Sequence, residues 1–396
     1  MRRPLRHTQP AGENTPPTLA NWRLAPWSAD SFTRVREIVP TADIPAAAPA
    51  PLPIERHDIA RLGVPDGAGG ECRFGDFLAA GHTTGCVVLR AGRLAGEWYD
   101  RGYDGLAPHI LFSITKSVTG LLAGILADRG LLDPDALVSA YLPEAAGSAY
   151  EGATVRHVLD MTVSTGFEES YLDPTGDYAR YRIATNWNPA AEFAQASSLH
   201  EFLPSLRAGP EPHGSAFHYV SPNSDLLGWL CERAAGRRYA DLVSELLWRP
   251  LGAEAAAYVT VDRLGAARAA GGLCARVRDL ARLGEMVRLG GLGPHGPIVP
   301  GWWIDDLERA GDREAWARGD LVQLFPEGRY RAQWYQSGHA SGALCCIGIH
   351  GQWLWIDPAA EVVIAKVSAQ PEPADDALDL ANIAALAAVS AALARA

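Results

Sequence analysis

Lysine is nearly missing from this chain. Of its 35 basic residues only Lys116 and Lys366 are lysine; the others are arginine. Arginine replaces lysine on most surfaces, but it cannot give up its proton inside a protein. A lysine kept in such a chain, three residues after a serine in Ser113-Ile114-Thr115-Lys116, is therefore a candidate for work that needs a neutral amine. That work would be taking the proton from the Ser113 hydroxyl so that it can attack a carbonyl. The abundance of Arg, Ala and Gly points to a GC-rich genome as a general source of the bias, so the argument needs support from the motifs below.

Other absences narrow the function further. The formal net charge is −11 and no basic block or stripe occurs, which argues against nucleic acid and anionic membrane as partners. The six cysteines (Cys72, Cys86, Cys231, Cys274, Cys345, Cys346) include no C-x-x-C pair and no histidine at ligand spacing. They read as buried free thiols, and no metal is expected. Met1 to Trp22 is rich in Arg, Pro and Thr and has no apolar core of signal-peptide length. No later stretch reads as a membrane span of ~20 apolar residues. The expectation is a soluble, cytoplasmic protein.

What the chain does have is 396 residues, 48% hydrophobic and 20% charged, enough for a large core. Residues 1–20 read as a flexible tail. Five prolines between Pro40 and Pro53 favour an extended, polyproline-like connector over a helix or a central strand. Cys86 to Arg90, Ala91-Gly92 and Arg93 to Tyr99 read as a β-hairpin. Helices follow at Ser113–Arg129, closed by Gly130, at Leu226–Ala235, closed by Gly236, and at Arg278–Leu289. Strand signals return at Leu344–Ile349, Gln352–Ile356 and Val362–Ser368. The acidic start of Asp375–Ala394 predicts a last helix. Strands early, helices in the middle and strands late imply an α/β (α+β) fold with one antiparallel sheet drawn from both chain ends. The expected division is 21–130 with 335–396 for the sheet domain, and 131–334 for a mostly helical insertion.

On a helix, Ser113 and Lys116 share a face one turn apart. Ser113 also lies at the helix start, where unpaired N–H groups and the dipole favour developing negative charge. The competing reading is that a serine at a helix start is a cap, and that Ser-x-x-Lys recurs by chance.

Context separates the two. Leu111-Phe112-Ser113-Ile114-Thr115-Lys116-Ser117-Val118-Thr119-Gly120 resembles the active-site segment of the penicillin-recognising serine hydrolases, the superfamily of serine β-lactamases, DD-peptidases and related esterases. Thr154 to Leu159 followed by Ser164-Thr165-Gly166, then Tyr219-Val220-Ser221-Pro222-Asn223, resemble further family segments in the family's order. So do Gly271-Gly272-Leu273 with Arg278 to Arg282, and Cys346 to Gln352 with Trp355 to Pro358. The resemblance covers roughly residues 75–390. Through Glu169-Ser170-Tyr171-Leu172-Asp173-Pro174 and the Gly348–Gln352 run it is closest to the 6-aminohexanoate-dimer (nylon oligomer) hydrolase branch.

The resemblance implies a set of roles. Ser113 is the acylated nucleophile, Lys116 its base, and Tyr219 a partner in the proton relay that delivers a proton to the leaving group. The backbone N–H groups of Ser113 and Ile349 form the oxyanion hole. Tyr171 reaches the leaving group, Trp187 and Trp334 wall the acyl pocket, and His350 belongs to the substrate-binding set. No cofactor is implied, and a homodimer is an expectation from the resemblance alone. Two departures stand out. Ser221 occupies a place where the family often has asparagine. The third motif reads Cys346-Ile347-Gly348, without the cation and hydroxyl that hold a penicillin carboxylate, which disfavours β-lactamase and DD-peptidase activity. Arg182 and Ala270 stand where an amide-cleaving relative would place an acidic or amide residue, which favours esters.

Three readings result. The first is a hydrolase of small ester or linear amide substrates. The second is an acyltransferase that passes the same acyl group to an amine or alcohol. The third is a catalytically silent binding module on the same fold, against which the intact Ser113, Lys116 and Tyr219 set argues.

Overall fold

The computed structural model describes residues 15–100, 102–190 and 198–395. Residues 1–14 of the expected tail lie outside them, while Trp22, just past its end, is fully buried.

Two antiparallel sheets frame the site. In chain order their strands are β1 (Thr41–Ile44), β2 (Thr83–Arg90), β3 (Arg93–Tyr99), β4 (His109–Ile110), β5 (Ala257–Thr260), β6 (Leu273–Ala275), β7 (Arg329–Arg331), β8 (Trp334–Gln336), β9 (Leu344–Gly348), β10 (Gln352–Asp357) and β11 (Val362–Ser368). The larger sheet runs β7-β8-β9-β10-β11-β2-β3, so the two ends of the chain meet where β11 pairs with β2. The smaller sheet runs β1-β5-β6-β4.

The β2–β3 hairpin turns at Ala91 and Gly92, both at positive φ (47° and 76°), the geometry that matches strand twist in a two-residue loop. The proline-rich connector is extended, but it is more than a linker. Its first residues pair as edge strand β1 with β5, the position in a sheet that tolerates neighbouring prolines.

Four helices matter here: α1 (Ile114–Asp128), α2 (Ser221–Ala235), α3 (Val277–Arg288) and α4 (Asp376–Ala394). Glycines at positive φ, Gly130 (67°) and Gly236 (65°), end α1 and α2 as the sequence predicts. Helix α2 starts five residues earlier than expected, because Pro222 sits in its first turn, where a missing N–H costs nothing. Although α3 falls inside the span 131–334, it packs on β2, β10 and β11 of the larger sheet. Its Gly284 lies so close to Val363 that a Cβ there would stand 2.6 Å from Cγ1.

Helix α4 amends one expectation. Its 19 residues, with mean hydropathy 1.8, are long and apolar enough by composition to cross a membrane. One stripe of it, with Ala385, Leu386, Val389 and Leu393, is buried in the same core cluster as Trp353 and Ile364 of the sheet. The helix therefore lies on the sheet by one stripe, with the rest of its surface less covered.

Helix α1 is the central element. Residues Ile114 to Leu126 are all buried, between the larger sheet and α2. Such a helix carries apolar residues all round, and Lys116 is its one charged residue inside that stretch.

Candidate active site

Ser113 precedes the first turn of α1, yet its hydroxyl caps no helix N–H. The preceding Phe112 is held at φ 44°, a left-handed conformation that costs a bulky residue free energy. The Ser113 oxygen instead lies 2.8 Å from Lys116 Nζ. This disposes of the capping alternative.

Lys116 is 1% exposed. Its Nζ also contacts Ser221 Oγ at 3.0 Å and the Ala270 carbonyl at 3.0 Å. The Ala270 carbonyl can only accept. Ser221 commits its own hydrogen to Glu169 Oε1, 2.7 Å away, so towards Lys116 it accepts as well. A neutral amine has two N–H bonds and one lone pair. With both N–H bonds taken by Ala270 and Ser221, the lone pair is left facing the Ser113 hydroxyl. Electrostatics agree, since burial pushes Lys116 down to about 7, against a pull upward from Glu169 and a further push down from Arg268.

The turn carrying Ala270 is fixed by a buried pair. Asp225 on α2 accepts the Ala270 N–H (2.8 Å) and pairs with Arg268, with Tyr181 bonded to both. Glu169 accepts the Ser221 N–H as well as its hydroxyl, and the Tyr171 hydroxyl donates to it at 3.0 Å.

The Tyr219 ring lies 4.9 Å from Lys116 Nζ, and the Ser113 and Tyr335 hydroxyls face its phenol. Burial, then Glu169, push that phenol well above its ordinary range. Tyr219 is therefore a neutral hydroxyl at any working pH, suited to passing a proton rather than to acting as a phenolate. Asp320 accepts its backbone N–H (2.9 Å), which seats the residue.

Ile349 follows β9 in a three-residue loop. Gln352 ties that loop down through Nε2 to the Ile349 and His350 carbonyls (3.1 and 3.0 Å), while its Oε1 accepts the Ser368 N–H (2.9 Å). The chain's other lysine serves the same loop. Lys366 Nζ donates to the Gly351 carbonyl (3.2 Å) and to Ser368 Oγ (2.8 Å).

Ser113, Tyr171, Tyr219, Tyr335 and Ile349 line a cleft of about 430 Å³, with Glu168, Asp320 and Asp376 among the groups at its walls. Three expected substrate contacts are elsewhere. Trp187 is 1% exposed, with its indole N–H on Thr260 (3.0 Å). Trp334 is fully buried beneath α1 and donates to the Ser117 carbonyl (3.2 Å). His350 is 3% exposed, lies 2.7 Å from the Gln370 carbonyl, and is pushed down to about 4 by burial. All three are packing residues of this structure rather than cleft walls. Conversely, Ser221, Glu169 and the Asp225–Arg268 pair join the site without having been assigned a role from sequence. The only signal for Ser221 was that it departed from the family's asparagine.

The fold and this arrangement define a class, and the chain belongs to it: the Beta-lactamase family, whose profile matches residues 73–388. Within that class the chain is 37% identical over 365 residues to the 6-aminohexanoate-dimer hydrolase of Paenarthrobacter ureafaciens, covering 92% of this chain and 90% of that protein. A solved Bacillus anthracis structure named as a 6-aminohexanoate-dimer hydrolase superposes with a TM-score of 0.86 at 25% identity, covering 95% of this chain and 98% of that one. Esterase EstB of Burkholderia gladioli is 31% identical over 159 residues, 38% of each chain. The curated relatives thus include both a 6-aminohexanoate-dimer hydrolase and an esterase.

Proposed function

We propose that this protein is a serine hydrolase that cleaves small esters or linear amides through an acyl-enzyme on Ser113. The observation that carries the reading is the buried Lys116 Nζ held 2.8 Å from the Ser113 hydroxyl, where burial pushes the amine down to about 7 and so brings its neutral, proton-accepting form within reach. Lys116 takes the hydroxyl proton as Ser113 Oγ bonds to the substrate carbonyl carbon. The N–H groups of Ser113 and Ile349 receive the oxyanion. The proton passes by way of Tyr219 to the departing alcohol or amine, and water releases the acid by the reverse relay. Tyr171, tethered to Glu169, faces the leaving group. Six free cysteines, with no disulfide among the described residues, support a reducing compartment, and we place the protein in the cytoplasm.

The test is intact-protein mass during turnover of p-nitrophenyl butyrate. The native protein is expected to release nitrophenol and to carry a butyryl adduct. Ser113→Ala is expected to lose both with its Tm kept within a few degrees. Release that survives in Ser113→Ala would remove the nucleophile from this reading. Amide product formed on adding an amine would shift it toward acyl transfer.

A further inference from the structure

The two N–H groups that would receive the oxyanion, those of Ser113 and Ile349, have unusual neighbours in the chain. Phe112 precedes Ser113 at φ 44°, and His350 follows Ile349 at φ 61°. Both are bulky residues in the left-handed region, a conformation that persists only where the surroundings force it. Ser113 and Ile349 both line the cleft, and among the described residues neither N–H donates to another group. Two strained turns, far apart in sequence, thus bring a free N–H each to the same cleft.

One ring touches both turns. Phe32 meets the Phe112 ring edge-on, 5.0 Å between centres, and the His350 ring edge-on at 5.1 Å. Phe112 and His350 themselves lie 5.3 Å apart. All three side chains are buried, Phe32 completely. Phe32 comes from the N-terminal segment ahead of β1, whereas the family profile begins at residue 73. That segment is pinned in place. The Phe32 carbonyl accepts the Ile110 N–H (2.9 Å), the Trp22 ring stacks on Phe112 (6.4 Å), and the Trp22 indole N–H donates to the Trp187 carbonyl (3.2 Å). On the loop side, the His350 N–H donates to the Pro373 carbonyl (2.9 Å) and Nδ1 lies 2.7 Å from the Gln370 carbonyl. Close-packed rings transmit small displacements instead of absorbing them, so the Phe32 ring fixes the position of one turn against the other.

We propose that Phe32 is a positioning residue for the oxyanion hole: its ring, packed against Phe112 and His350, sets the spacing of the Ser113 and Ile349 N–H groups. This rests on the acyl-enzyme reading above. Phe32 does not line the cleft, so it acts through those two turns and not on the substrate. Its effect falls on the charge that develops in the transition state, leaving ground-state binding and the Lys116 amine unchanged. One oxyanion donor is worth roughly 10²–10³ in kcat, so a small displacement of both is expected to cost at least tenfold.

The experiment measures kcat, KM and the pH–rate profile with p-nitrophenyl butyrate, and inhibition by 1,1,1-trifluoropentan-2-one, whose adduct on Ser113 carries the oxyanion. In Phe32→Leu, kcat is expected to fall at least tenfold with KM within threefold of native, and the trifluoroketone Ki to rise at least tenfold. The acid limb of kcat/KM should stay at its native pH. His350→Asn breaks the same contact from the loop side, since asparagine tolerates positive φ but brings no ring. It should repeat the pattern, and it decides the matter if Phe32→Leu does not fold. Val39→Ala is the control: it trims the same core cluster without removing a ring, and should lower Tm while kcat and Ki stay native. Native kcat and Ki in folded Phe32→Leu, or in His350→Asn where the first does not fold, would overturn the proposal. So would losses of kcat that only follow Tm across the three variants, or an acid limb that moves. A native protein that neither releases nitrophenol nor takes up a butyryl group would instead overturn the hydrolase reading.

Discussion

At the scale of single residues, the Lys116 amine is tuned by opposing neighbours. Burial lowers its pKa, and the nearby Glu169 carboxylate raises it. Glu169→Gln removes that upward pull. The acid limb of kcat/KM, which reports the neutral amine of the free enzyme, is expected near pH 7 in the native protein and at lower pH in Glu169→Gln. A limb that stays put or moves up in a pH–rate series would separate Glu169 from the base. Ser113, Lys116, Tyr219, Tyr171 and Ile349 could be picked out of the sequence because each sits in a short motif of recognisable order. Ser221 and Glu169 could not be assigned, since their contact joins residues 52 positions apart and leaves no local pattern. Trp187, Trp334 and His350 misled for a related reason. An aromatic or imidazole ring reads the same in sequence whether it faces a cleft or a core, and in this Trp-rich chain all three face the core.

At the scale of elements, α1 works because two of its glycines let its neighbours come close. A Cβ at Gly120 would stand 2.2 Å from the Ala332 carbonyl oxygen, and one at Gly124 would stand 2.5 Å from the Trp303 ring. The Ala332 oxygen is main chain and cannot rotate away as a side chain does. Gly120→Ala gains helix propensity, but the clash outweighs it and a loss of about 2 kcal/mol or more is expected, read as a lowered midpoint in urea or a lowered Tm. An unchanged midpoint would mean that α1 and the turn between β7 and β8 are not pressed together as described. Element identity was largely legible, because α1, α2 and α3 carry apolar periodicity and glycine stops, and β9 to β11 are short, mostly apolar runs between turns. The start of α2 and the pairing of β1 were not legible. The first depends on a proline tolerated in a first turn, the second on a partner strand more than 200 residues away.

At the scale of the molecule, the buried lysine ties stability to pH. Lys116 has a folded pKa of about 7 against 10.5 for the free side chain. Between those values the unfolded chain binds the proton and the folded protein does not, so this group makes the native state more stable as pH rises. Lys116→Met has no such term. Its Tm advantage over the native protein is therefore expected to shrink steadily from pH 7 to pH 10, and a pH-independent difference would mean that Lys116 stays charged when folded.

The pairing of β2 with β11 also has a consequence before the protein is finished. Strand β2 ends at Arg90 and its partner begins at Val362. A ribosome adding roughly 5–20 residues per second needs on the order of tens of seconds to cover that interval. Throughout it the emerging chain carries a hydrophobic strand, Val87-Val88-Leu89, with one hydrogen-bonding edge open, the feature that invites a neighbouring nascent chain to add a strand. Yield from a heterologous host is thus governed by translation speed, temperature and chaperone supply during that window, separately from how stable the completed fold is.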